Sequence, residues 1–378
     1  MVKKNLIIFG TRPEAIKMAP LVKTFRNTDD FETKVCITAQ HREMLDQVLE
    51  FFGIIPDFDL NLMKPNQNLY SLTAEIICSL KPILEEYRPD YIYVHGDTTT
   101  TMAASIASYY AGAQLCHVEA GLRTHNKRSP FPEEINRSIA GRIADHHFAP
   151  TITSRNNLLK ENISNSNILV TGNTVIDALN YSSKVVQTHG YEDSEIESLK
   201  LKIDKTKKTV LVTGHRRENH GQGFVNICSA LKTIALKYKD VQIIYPVHLN
   251  PNVIKPVTDL LEEVENINLI EPLSYPAFVW LMNASYLIMT DSGGIQEEAP
   301  SLGKPVLVMR NTTERPEAVE AGTVILVGTD ENKILDITDK LLNDKRFYDS
   351  MSKLHNPYGD GLSCQRIVEY MSKLNDEK

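Results

Sequence analysis

Long apolar runs are missing from this sequence: those present, such as the one around residues 6–9, are far too short to cross a bilayer, so no membrane span is expected. The opening MVKKNLIIFG has no signal-peptide cleavage pattern, which predicts a cytoplasmic location. Paired CxxC spacing is absent as well. The five cysteines, Cys36, Cys78, Cys116, Cys228 and Cys364, are scattered and odd in number, which excludes a disulfide framework and a thiolate zinc site and predicts buried structural thiols. Basic residues form no stripe and the net charge is −7, so a duplex nucleic acid is not the expected partner. No GxSxG string supports a serine hydrolase. There is no low-complexity segment and no repeat of solenoid type.

What remains has the composition of a folding chain, with 42% hydrophobic and 24% charged residues. A length of 378 residues exceeds what one core usually supports, so two domains are expected. Short β-branched and aliphatic runs alternate with longer stretches of helical spacing, the signature of βαβ units and parallel sheets. The predicted strands are 5–10, 33–39, 91–96, 114–119, 146–149 and 167–171 in the first half, and 209–214, 241–247, 267–270, 286–290, 305–309 and 323–327 in the second. A polar segment, 184–208, reads as a helix and linker following 173–182 and places the boundary, giving a first domain of 1–172 and a second of 173–363. The tail GDGLSCQRIVEYMSKL reads as a glycine turn and an amphipathic helix able to pack on either domain.

Ligands of open parallel sheets bind beyond the carboxyl ends of the strands, where loops meet helix N-termini. The unusual strings of this chain fall at those ends. In TDSGGIQEE a strand runs into Asp291, Ser292, Gly293 and Gly294 and then a helix beginning near Ile295, where two glycines allow close approach of a diphosphate and Glu298 can accept from ribose hydroxyls. A plain glycine turn capped by Ser292 explains the same string. GTRPEAIKMAPL occupies the position of a dinucleotide fingerprint but lacks its second and third glycines, which disfavours NAD; Arg12 and Lys17 can instead reach phosphate oxygens.

HGDTTTT puts Asp97 at a strand end, either as a helix cap or as a functional carboxylate. HVEAGLRT puts Glu119 at another, where a carboxylate has no packing purpose, although a salt bridge to Arg123 is an alternative. In SPFPEEINR, Glu133 and Glu134 open a helix, and dipole compensation accounts for one of them more readily than for both. TGHRREN gathers His215, Arg216, Arg217 and Glu218 after a strand, and His215 can protonate or steer a leaving phosphate. His146 and His147 read as structural, while His248 in YPVHLNP stays open. Asp97, Glu119, Glu133 and His215 superficially resemble a metal set, but their spacing fits no compact metal motif and Arg12, Arg123, Arg216 and Arg217 supply positive charge, so no metal is expected.

Taken together, GTRPEAIKMAPL, HGDTTTT, HVEAGLRT, PFPEEINR, TGNTVIDAL, TGHRREN, YPVHLNP, TDSGGIQEEAPSLGKPVL and TTERPEAVEAGT resemble the non-hydrolysing UDP-N-acetylglucosamine 2-epimerases over almost the whole chain. The resemblance implies an α/β fold of glycosyltransferase-B type: two Rossmann-like parallel-sheet domains facing a cleft, the C-terminal helix 364–378 returning to the first domain, and a homodimer. It implies interconversion of UDP-N-acetylglucosamine and UDP-N-acetylmannosamine without a cofactor, by elimination of UDP to 2-acetamidoglucal and re-addition. Asp97, Glu119 and Glu133 carry over as the acid/base group, and His215 as a catalytic or phosphate-steering residue. Ser292, Gly293, Gly294, Glu298, Arg315 and Phe278 carry over to the UDP site; Leu273 stands where some relatives have a polar residue near uracil. Gln40, His41, Arg216 and His248 match positions at which some relatives bind a second, activating UDP-N-acetylglucosamine, with Glu43 where activated members have glutamine. Cell-surface polysaccharide synthesis is the usual destination of the family's product. A hydrolysing epimerase, a glycosyltransferase and a silent UDP-sugar sensor are the competing readings.

Overall fold

Strands covered on both faces read as unbroken apolar runs, and in the computed structural model Leu6, Ile7, Ile8 and Phe9 are all at most 1% exposed. The structure describes residues 2–39, 42–62, 64 and 67–376. The first sheet holds β1 (Lys3–Phe9), β2 (Phe31–Ile37), β3 (Phe58–Asp59), β4 (Tyr91–His95), β5 (Gln114–Val118), β6 (His146–Ala149) and β7 (Ile168–Val170), in the order β3-β2-β1-β4-β5-β6-β7. The second holds β8 (Lys208–Thr213), β9 (Val241–Pro246), β10 (Ile267–Ile270), β11 (Leu287–Thr290), β12 (Val306–Val308) and β13 (Val324–Leu326), in the order β10-β9-β8-β11-β12-β13. All pairings are parallel, with Ile7 opposite both Val35 and Tyr93 in the first sheet and Met289 opposite both Val212 and Leu307 in the second.

The twelve strands expected from apolar patterning are all present. β3 is additional to them, its two residues being too few to show a period in the sequence. Apolar patterning also carries several strands one residue too far, to Gly96 and Glu119 for example. Those residues have φ of +64° and +61°, so they begin the loops instead.

Each sheet packs its own core. In the first, Leu6, Ile8, Ile92, Val94 and Leu115 meet Ile76, Leu80, Ala103 and Ala107 from two helices. In the second, Val210, Val212, Ile243, Tyr245 and Met289 meet Phe224, Ile227, Leu231 and Val257. Four cysteines are buried as expected, but Cys78 is exposed. Helix Leu69–Tyr87 buries Ile76, Leu80 and Leu84, a stripe of period four, and position 78 lies off it.

The chain divides into two compact units, Met1–Asn180 with Tyr358–Lys378, and Tyr181–Pro357. The sequence reading cuts at 172/173 and 363/364. Residues 173–180 and 358–363 fall instead in the first unit, where they bind each other: the Asn173 N–H donates to the Tyr358 carbonyl at 2.7 Å, and Asp177 accepts from the N–H groups of Ser363 and Cys364 at 3.2 and 2.9 Å. Asp177 thus serves the unpaired N–H groups at the start of helix Ser363–Asp376, which packs on helix Arg12–Arg26 of the first unit. Among the described residues no helix is long and apolar enough to cross a membrane.

Strand order reverses beside β1 and β4 in the first sheet and beside β8 and β11 in the second. Those are the points where doubly wound sheets open a crevice. Beyond the ends of these four strands stand Arg12, Asp97, His215 and Ser292.

Candidate functional site

In the first unit, Thr11 caps helix Arg12–Arg26 and forms a capping box with Glu14, with Pro13 in the first turn. Arg12 is therefore the first helical residue, and Lys17 follows in the second turn. Lys17 Nζ makes an ion pair with Glu119 Oε2, both side chains being mostly buried. Glu119 also accepts from Asn173 Nδ2 at 2.8 Å and lies 3.6 Å from His95 Nε2. Arg123, the alternative partner, instead holds Glu161 through two bonds of 2.6 and 2.9 Å.

Asp97 is not the cap of its helix. Thr98 is: its hydroxyl accepts from the Thr101 N–H at 3.1 Å, which releases the Asp97 carboxylate to pair with Arg137. Asn136 Nδ2 donates to the Asp97 carbonyl at 2.9 Å, so one helix, Glu133–Ile143, grips both ends of the residue. Before Asp97, Gly96 takes up left-handed backbone, and a β carbon there would lie 3.6 Å from Glu119 Oε1. His117 Nε2 meets the Gly96 carbonyl at 2.7 Å. Burial pushes the His117 imidazole down to about 3, so it is neutral and donates this bond.

The two glutamates that open the helix separate into different roles. Glu134 is buried and accepts from the N–H groups of Thr124 and His125 at 3.1 and 2.8 Å, fixing the preceding loop. Glu133 Oε2 is buried without a hydrogen-bond partner. Glu133 stands one turn before Arg137, the residue that holds Asp97. The first unit thereby sets Asp97 and Glu119 at neighbouring strand ends and carries Glu133 on the helix whose Arg137 holds Asp97.

Glu14 was not singled out from the sequence, although its Thr-x-x-Glu spacing was the available signal. It is buried and accepts from the N–H groups of Gly10 and Thr11 at 3.1 and 2.9 Å and from the Thr98 hydroxyl at 2.7 Å. It joins the loop of Arg12 to the loop of Asp97. Burial raises its pKa against the lowering effect of these bonds.

In the second unit, Asp291 Oδ2 accepts from the N–H groups of His215 and Arg216 at 2.9 and 2.8 Å. His215 stacks on His248 with centroids 5.3 Å apart, and the His248 Nδ1 accepts from the Asn250 N–H at 3.1 Å. Burial first, then His248 and Arg216, lower the His215 pKa against the opposing pull of Asp291. The helix after Ser292 begins at Gly293, two residues before the expected start, and Ser292 makes no side-chain cap bond.

A β carbon on Gly293 would lie 3.2 Å from Glu314 Oε1, so only glycine leaves this turn unobstructed. Glu314 is held by Arg310 at 2.6 Å and by Arg216 at 3.3 Å. Glu298 is buried and accepts from the Tyr275 hydroxyl at 3.3 Å, while Arg315 is engaged by Glu297. Leu273 precedes helix Tyr275–Ala284, which carries Phe278, and both residues are half-buried. Arg216 and His248 lie on loops of this unit, whereas Gln40 and His41 fall outside the described residues. Among the described residues no three His, Cys, Asp or Glu side chains are grouped to hold a metal.

Residues 23–372 match the family model described as UDP-N-acetylglucosamine 2-epimerase. The chain is 59% identical over 366 residues to the UDP-N-acetylglucosamine 2-epimerase of Escherichia coli (strain K12), covering 97% of each. It is 54% identical over 376 residues to the enzyme of that name from Campylobacter jejuni, covering 99% of this chain and 98% of the relative. Its fold is similar to the crystal structure of the UDP-GlcNAc 2-epimerase of Neisseria meningitidis bound to UDP-GlcNAc, with a TM-score of 0.89 and 52% identity, covering 98% of this chain and 100% of that one.

Proposed function

The chain belongs to the UDP-N-acetylglucosamine 2-epimerase family, and from that premise we propose that it interconverts UDP-N-acetylglucosamine and UDP-N-acetylmannosamine by the non-hydrolysing route. A carboxylate removes the C2 proton, the C1–O bond breaks with its electron pair going to the UDP oxygen, and 2-acetamidoglucal forms. UDP oxygen then adds back to C1 while a second carboxyl delivers a proton to the opposite face of C2. The proton steps fall to Asp97, Glu119 and Glu133, with Arg12 and Lys17 supplying positive charge beside them. Ser292, Gly293, Gly294, Glu298 and Arg315 anchor UDP, Leu273 and Phe278 flank the base, and His215 meets the departing diphosphate.

Glu119 carries this reading. A carboxylate set in left-handed backbone at a strand end, buried against Lys17 and Asn173, serves no packing purpose there. Dimerisation, a cytoplasmic location, a role in cell-surface polysaccharide synthesis, and activation by a second UDP-N-acetylglucosamine at Gln40, His41, Arg216 and His248 belong to the same proposal. A sigmoidal dependence of initial rate on substrate supports the activator, and a hyperbolic one removes it.

The test is an NMR time course with UDP-N-acetylglucosamine and no added cofactor. UDP-N-acetylmannosamine is the expected product. Accumulation of free N-acetylmannosamine and UDP would place the chain with the hydrolysing enzymes.

A further inference from the structure

Asp291 lies at the end of β11, and its side chain is completely inaccessible to solvent. One carboxylate oxygen is fully used: Oδ2 accepts from the His215 and Arg216 N–H groups and, at 3.3 Å, from Asn219 Nδ2. The other, Oδ1, has no hydrogen-bond partner, although a buried carboxylate oxygen without one is costly. Facing it, 3.5 Å away, is His215 Nδ1. The ring is confined on one face by His248, and Arg216 is the remaining charged group beside it.

We propose that Asp291 is a positioning residue that sets the proton of His215 on Nδ1 and thereby frees Nε2 to exchange a proton or hydrogen bond with the departing diphosphate. This rests on the role given to His215 above. A neutral imidazole carries one proton, and the nitrogen facing a carboxylate is the one that keeps it. Because the same carboxylate anchors the backbone of His215 through Oδ2, loop and ring orientation are fixed by one buried group. The arrangement follows the logic of an aspartate behind a catalytic histidine, here built across neighbouring strands β8 and β11.

Asp291→Asn is the informative variant. Its amide oxygen can replace Oδ2 and keep the turn, while its NH2 group replaces Oδ1 and donates to Nδ1, moving the ring proton to Nε2. The protein is labelled with 15N-histidine, and the tautomer of His215 is read from its ring nitrogen shifts, assigned with His215→Asn. The wild type is expected in the Nδ1–H form and Asp291→Asn in the Nε2–H form. UDP affinity and KM should stay within about threefold, with kcat falling about thirtyfold or more. In the His215→Asn background, Asp291→Asn should cost nothing further. An Nε2–H tautomer in the wild type overturns the proposal even if the variant does not fold, as does a further loss in the double variant. Full activity of His215→Asn would remove His215 from the reaction while the shifts still decide the pairing. If no epimerisation occurs at all, the functional reading fails and the shifts again decide the pairing alone.

Discussion

Lys17 and Glu119 stand 102 residues apart in the chain and meet as an ion pair whose side chains are 13% and 8% exposed. The contact joins the helix after β1 to the loop after β5. Removing one partner of such a pair leaves an uncompensated charge, so Lys17→Met should destabilise the protein by about 3 kcal/mol. For a unit of this size that corresponds to a melting temperature lower by ~6–12 °C. The accompanying loss of kcat should be on the order of a hundredfold, since the carboxylate would lose its fixed position. Differential scanning calorimetry beside steady-state kinetics checks both.

Glu14 makes a prediction about pH. Burial raises its folded-state pKa above the ordinary 4.5, so the folded protein binds this proton more tightly than the unfolded chain does. The wild type therefore gains stability relative to Glu14→Gln as pH falls from neutrality, and the gain levels off below about 4.5. Urea unfolding of both proteins at pH 7 and in the ordinary carboxylate range measures the difference. A difference independent of pH would contradict the assignment.

His117 acts in the opposite direction. Its folded pKa is depressed from 6.5 to about 3, so below 6.5 the unfolded chain takes up a proton that the folded protein refuses. Stability is lost across that window at about 1.4 kcal/mol per pH unit from this one group. His117→Phe should flatten the acid slope by that amount while lowering stability at pH 7, because the bond to the Gly96 carbonyl is gone. Unfolding free energies at four or five pH values between 4 and 7 test it.

Gly293→Ala probes the turn proposed to hold the nucleotide. The added carbon would meet Glu314 Oε1 at 3.2 Å, with Arg216 Nη2 4.0 Å away. UDP affinity by titration calorimetry should fall about tenfold or more, a change of about 1.4 kcal/mol. Stability should fall by about 1 kcal/mol, because the Glu314 carboxylate must give by a few tenths of an ångström against the hold of Arg310 and Arg216.

Strands such as β1, β4 and β8 were legible in the sequence because each is an apolar run long enough to show its period. The strand ends were legible as places for chemistry because parallel sheets put their ligands there. Partner choice was not. The sequence offers Arg123 to Glu119, four residues away, and the fold gives it Lys17 instead, since helix Arg12–Arg26 and the loop after β5 are brought together by strand order. At Asp97 the sequence leaves a cap and a functional carboxylate both open, and the fold decides for Thr98 as the cap, since that residue holds the extended backbone that capping needs. Nothing within TDSGGIQEE gives Asp291 a task, because an N–H group that it accepts from lies in a loop 75 residues earlier.

In the proposed reaction, carboxylates of the first unit move the C2 proton. This is tested most directly by running the reaction in deuterium oxide and following C2 by NMR. The wild type should place deuterium at C2 of the UDP-sugars as they interconvert, and Glu119→Gln should bind UDP normally yet exchange at least about a hundredfold more slowly. Interconversion that leaves the original hydrogen at C2, or full exchange in Glu119→Gln, would contradict the account.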